Sequence, residues 1–208
     1  MHGLSDQQIE RYSRQILIVG GNAQERLLAS RIVIIGAAVE VETALRYLVG
    51  AGVGTIGVHL LGEDSVAHDK LLARVRELNS DVTIQSAKSV ARPDLRLMII
   101  SDESAFAAVK SQTRETWHSA VVVVRLDPRA KIAILPDHTH TTTGPEEELF
   151  APWSREIPHD SINDNAGFVT MVAVTEILKL LTESQAPAGP VVIEFDGYQT
   201  KPHPLARH

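Results

Sequence analysis

Arg31-Ile32-Val33-Ile34-Ile35-Gly36-Ala37-Ala38-Val39-Glu40-Val41-Glu42 passes from a β-branched run, through a single glycine, into a helical pattern that continues to about residue 50. Strand, glycine turn and helix in that order make the first unit of an α/β fold, where ligand phosphates can approach the amino end of the helix. The alternation repeats downstream. Further strands are predicted at Thr55–Leu60, Val82–Ala87, Leu95–Ile100, Ala120–Arg125, Lys131–Leu135 and Val191–Phe195, and helices at about 68–79, 103–112 and 166–182. Short strands alternating with helices predict a mainly parallel sheet flanked by helices.

Upstream lie two helical segments, Ser5–Leu17 and Asn22–Ser30, the first opened by Ser5 with Gln8 three residues on, the pattern of a capping box. They form an N-terminal helical arm over residues 1–30, part of the same domain as residues 31–208. Residues 136–165 sustain no period of 2 or 3.6 and read as a crossover loop. Phe168, Val169, Met171, Val172, Val174, Ile177, Leu178, Leu180 and Leu181 then cover most of a helix surface, which predicts a largely buried helix.

The 208 residues, 44% of them apolar, suffice for one domain with its own core. A formal net charge of −6 argues against nucleic acid or an anionic membrane as the main partner. No apolar run approaches the roughly 20 residues of a spanning helix, and no basic start leads into an apolar core, so a cytoplasmic location is expected. The chain has no cysteine, which excludes disulfides, thiolate metal sites and thioester chemistry by its own side chains. There is also no Gly-x-Ser-x-Gly, His-Glu-x-x-His or Gly-Lys-Ser/Thr motif, so the common hydrolase, zinc-protease and nucleotide-hydrolase readings lack support.

A resemblance rests on Leu4-Ser5-Asp6-Gln7, Arg11-Tyr12-Ser13-Arg14-Gln15, Ala23-Gln24-Glu25-Arg26-Leu27, Ser30–Gly36 and Ala51-Gly52-Val53-Gly54, with Thr175-Glu176-Ile177-Leu178-Lys179-Leu180 and Asp196 near the end. These stretches resemble the molybdopterin-synthase and thiazole-biosynthesis adenylyltransferases, which belong to the ubiquitin-activating-enzyme-like superfamily. The resemblance implies a Rossmann-like, mainly parallel sheet with an antiparallel C-terminal extension. It also implies ATP and magnesium, a dimer, and a ubiquitin-like or sulfur-carrier protein whose C-terminus is adenylated. Arg14 corresponds to an arginine that reaches the partner's nucleotide, Gly36 to the start of the glycine-rich cradle, and Asp102 to a magnesium-associated aspartate. An aspartate at that place also caps a helix beginning at Glu103.

The sequence departs from that pattern where ATP would bind. Ala38, Val39 and Val41 stand where further glycines are usual, and their side chains are expected to fill the triphosphate space. Glu40 and Glu42 are expected to satisfy the helix dipole and repel phosphate. Val58-His59-Leu60-Leu61-Gly62 lacks a ribose-gripping carboxylate, which Glu63 or Asp64 would have to replace. Lys70 offers either a phosphate ligand or a solvated lysine near a helix start. Asn163 falls where some relatives carry a cysteine. The pairs His138/His140 and His203/His208 lie near the places of the family's zinc-binding cysteines, but no enforced spacing supports a metal, and none is expected.

Three functions remain open. The first is a degenerate, non-catalytic subunit that supports adenylation by an intact paralogue, or pairs with itself, and has no cofactor of its own. The second is an active adenylyltransferase with an altered site. The third is a scaffold or binding module. Arg11 and Arg14, one helical turn apart, read either as ion-pairing residues that dock the arm or as a source of Arg14 in trans.

Overall fold

A computed structural model describes residues 3–62, 65–101, 103–112, 119–126, 131–135, 166–183, 191–196 and 199–204. The first unit forms as the sequence predicts, with β1 (Arg31–Gly36) running into α4 (Ala38–Ala51). Before it come α1 (Asp6–Arg11), α2 (Ser13–Val19) and α3 (Gly21–Ala29). After it come β2 (Thr55–Leu60), α5 (Ser65–Arg76), β3 (Thr83–Ser86), a 3-10 turn at Ala87–Ser89, β4 (Leu95–Ile100), α6 (Glu103–Gln112), β5 (Ala120–Arg125) and β6 (Lys131–Leu135). The chain closes with α7 (Ala166–Thr182), β7 (Val191–Asp196) and β8 (Gln199–Pro204).

One eight-stranded sheet has the order β3-β2-β1-β4-β5-β6-β7-β8. The five strands from β3 to β5 pair in parallel, and β6, β7 and β8 extend the sheet antiparallel. The sequence reading missed β8. Its residues, Gln199-Thr200-Lys201-Pro202-His203-Pro204, are polar and carry two prolines, which an edge strand tolerates because one side of its backbone makes no ladder. The arm differs as well. The expected helix over Ser5–Leu17 breaks at Tyr12, and the helix expected at 68–79 runs from Ser65 to Arg76.

β1, β2, β4 and β5 are buried on both faces, the condition under which a strand consists almost wholly of Val, Ile and Leu. Ile32, Ile34, Ile56, Val58, Leu97, Ile99, Val122 and Val124 pack under α4, α5 and α7. Val33, Ile35, Met98, Ile100, Val121 and Val123 pack on the other face, against Phe106 and Val109 of α6. Each fully buried aliphatic side chain contributes roughly 1.5–3 kcal/mol relative to exposure. No helix among the described residues is long and apolar enough to cross a membrane.

Candidate functional site

The carboxy ends of the parallel strands, with the amino ends of α4, α5 and α6, form the edge where open α/β sheets bind ligands. At its centre Gly36 closes β1. A Cβ there would lie 3.0 Å from Ile99 Cβ, 3.1 Å from Ile99 O and 3.2 Å from Val41 Cγ2, so the glycine answers a close approach of β4 and α4. Ala37 caps α4 with no side-chain hydrogen bond, which leaves amides of the first turn as donors toward solvent or an anion.

The side chains beyond Gly36 point elsewhere than the sequence suggests. Val41 is fully buried beneath the turn, Ala38 packs on the same core, and Val39 is exposed. They do not fill the cradle, because a helix beginning at Ala38 turns positions 41, 44, 45 and 48 toward the sheet. Glu42 does not face a phosphate either. It bonds Arg46 at 2.7 Å, one turn on, and Arg74 of α5 at 3.0 Å, tying the two helices together. Glu40 alone keeps an acidic group in the first turn, and its Oε2 is enclosed with no hydrogen-bond partner.

Lys70 is exposed on the second turn of α5, with no bond or ion pair among the described residues. Asp102, Glu63, Asp64, Asn163, His138, His140 and His208 lie outside the described residues, and so does the side chain of His203. Among the described residues no group of three or more His, Cys, Asp or Glu side chains is placed to hold a metal. A triphosphate at this turn would find amide donors and one carboxylate, that of Glu40.

Two features of this edge escaped the sequence reading. Arg125, at the carboxy end of β5, is only 4% exposed, the one charged side chain buried to that degree among the described residues. Its signal was an arginine closing the run Val121–Val124. At the end of β2, His59 has its pKa lowered by burial first, then by the charges of Lys88 and His68.

Arg14 belongs to another part of the molecule. Tyr12 is buried where α1 meets α2, and its ring lies over Gly52, where a Cβ would sit 2.7 Å from the ring. Gly52 has φ +83°, the left-handed helix-ending conformation that favours glycine. The Tyr12 hydroxyl donates to Asp81 at 3.1 Å and accepts from Asn79 Nδ2 at 2.9 Å. Asn79 also donates to Val49 O, and Gln15 and Gln24 both donate to Ala51 O at 3.1 Å. Arg11 completes the contact with an ion pair to Asp81 at 3.3 Å. The Arg-Tyr-x-Arg-Gln and Ala-Gly-Val-Gly motifs thus form a latch that docks the arm at the amino ends of the strands. Arg14 projects from this latch, exposed and without a hydrogen bond or ion pair among the described residues. The 14 residues of α4, about 20 Å of helix, separate the latch at Ala51 from the Gly36 turn.

Among solved structures, E. coli MccB with ATP superposes with a TM-score of 0.66 over 95% of this chain and 71% of that one, at 13% identity. The chain has the ubiquitin-activating-enzyme-like fold. Sequence similarity within this fold is partial. The SAMP-activating enzyme E1 of Haloferax volcanii is 38% identical over 86 residues, 40% of this chain and 31% of that protein. The molybdopterin-synthase adenylyltransferase of Salmonella typhimurium is 38% identical over 90 residues, 42% of this chain and 34% of that protein. The matches thus span about a third of these relatives' length. No family model matches the chain.

Proposed function

We propose that this chain is a non-catalytic subunit that supports ATP-dependent adenylation of a ubiquitin-like or sulfur-carrier protein by an intact partner. The partner is an intact adenylyltransferase paralogue. The observation that carries the reading is the place of Arg14. A guanidinium held on a docked arm, exposed, without a bond among the described residues and next to Gln15, which is tied to the opposite end of α4 from the Gly36 turn, serves another molecule's phosphates better than its own. The named activities of the sequence relatives supply the reaction class, and Glu40 in the first turn of α4 supports the absence of a working site in this chain.

The test is ATP–pyrophosphate exchange by the assembled pair with its carrier protein. Arg14→Ala in this chain should lower exchange by about a hundredfold or more, the scale of a lost charged contact to a transition state. Glu40→Gln should leave it unchanged. Exchange unaffected by Arg14→Ala would remove the basis of the proposal.

A second reading, an active adenylyltransferase, is favoured by the uncapped amides of α4. Micromolar binding of ATP and magnesium to the isolated chain by calorimetry would support it, and the absence of heat would leave the first.

A further inference from the structure

The free face of α2 reverses the usual order of a surface helix. Gln15 turns toward the body, where it donates to Ala51 O, and the helix packs beside α1 and α3. Arg14, Leu17 and Ile18, at i, i+3 and i+4, share a face that is exposed throughout. Leu17 and Ile18 are each 86% exposed, more than any other large apolar side chain among the described residues. A leucine and an isoleucine side by side in water mark a surface that another molecule covers, since apolar area gains from burial and not from hydration.

Arg14 sets the chemistry of what covers it. α2 contains no acidic residue, and the Arg14 guanidinium has no hydrogen bond or ion pair among the described residues. A surface that covered Leu17 and Ile18 would also draw this guanidinium out of water. A desolvated cation without a counter-charge offsets much of what two apolar side chains gain, whereas phosphate oxygens accept its N–H groups in a bidentate pair. The complementary surface is therefore apolar with an anion at its edge. The latch fixes where the three groups stand, because Tyr12 and Gln15 tie the start of α2 to Asp81 and to Ala51 O, so little order has to be gained on docking.

We propose that Leu17, Ile18 and Arg14 make one docking face for the nucleotide-loaded form of the intact adenylyltransferase paralogue, so that pairing is coupled to the partner's ATP. The inference rests on the reading that Arg14 meets the partner's phosphates, and it adds a regulation to that contact. Leu17 and Ile18 supply affinity whether or not nucleotide is present. Arg14 opposes pairing with an empty partner and favours pairing with a loaded one. The coupling is reciprocal: the factor by which ATP tightens association is the factor by which association tightens the partner's hold on ATP. Docking changes no covalent bond.

The experiment measures association of the full chain with the paralogue of the exchange assay by sedimentation velocity, with and without ATP and magnesium, and without carrier protein so that no adenylate forms. ATP should tighten association about tenfold or more. Leu17→Ser and Ile18→Ser should each weaken association about tenfold in both conditions, the scale of one apolar side chain left unburied. Both positions are exposed, so these variants test the face with little risk to folding. Arg14→Ala should abolish the difference between the two conditions. In the exchange assay the Leu17→Ser defect should be rescued by raising the concentration of this chain, and the Arg14→Ala defect should persist at saturation. Association of equal strength with and without ATP, or undiminished affinity in both serine variants, would overturn the proposal. So would self-association of the isolated chain that Leu17→Ser abolishes, which would give the face to a second copy. Exchange that falls in Arg14→Ala while association ignores ATP would sink the coupling and leave the non-catalytic reading standing, so the two proposals fail distinguishably.

Discussion

Tyr12 joins the arm to the sheet through a ring on Gly52 and a hydroxyl shared between Asn79 and Asp81. Burial raises the phenol above its ordinary pKa, the bond from Asn79 opposes that shift, and the Asp81 hydrogen bond and charge add to it. The folded state therefore prefers the protonated phenol. Its contribution is fully present below the unfolded value near ~10 and is lost as pH rises through the folded value. In Tyr12→Phe, Asn79 keeps its bond to Val49 O and Asp81 keeps Arg11, so urea unfolding at neutral pH should show a loss of only about 1 kcal/mol. The variant's alkaline stability loss should be shallower than that of the parent. His59 behaves in the opposite sense. With its pKa depressed, its contribution is present above the unfolded value near ~6.5 and is lost as pH falls through the folded value. His59→Gln should flatten the acid limb of a thermal-melt series, and an unchanged limb would place the acid sensitivity elsewhere.

Between elements, two contacts of different character hold the frame. Gly54 donates its amide to Leu27 O, and a Cβ there would lie 1.8 Å from Leu28 O, backbone against backbone. Gly54→Ala must push α3 away from the start of β2. It should destabilise the protein by on the order of 3 kcal/mol or more by denaturant titration, with loss of the arm's hydrogen-exchange protection. The Glu42 link between α4 and α5 is weaker. Arg46 and Arg74 are about half exposed, so solvent screens the pair, and Glu42→Gln should cost less than about 1 kcal/mol. A larger loss would mean that Glu42 carries more of the α4–α5 contact than its ion pairs.

At the scale of the whole molecule, the two ends of the sheet have separate tasks. The amino ends of the strands hold the arm, and the carboxy ends carry Gly36, His59, His68 and Arg125. Arg14→Ala, which removes no bond among the described residues, should leave the melting temperature of the isolated chain within the equivalent of ~0.5 kcal/mol while lowering the partner's pyrophosphate exchange. A marked fall in stability would show that Arg14 serves the fold and not another subunit's phosphates.

The sequence alone established the order of strands and helices up to β7, a mainly parallel sheet, and the arm with its capping box. These follow from periodicity and β-branching over a few residues, and local chemistry is enough to specify them. It also singled out Gly36 and the Arg11–Gln15 signature, but not what they touch. Only the tertiary structure decided that Val41 packs inward, that Glu42 is held by two arginines, and that the signature is mainly a latch. Helix phase and strand order set these relations, and both arise from packing an entire sheet between its helices, which no local stretch encodes.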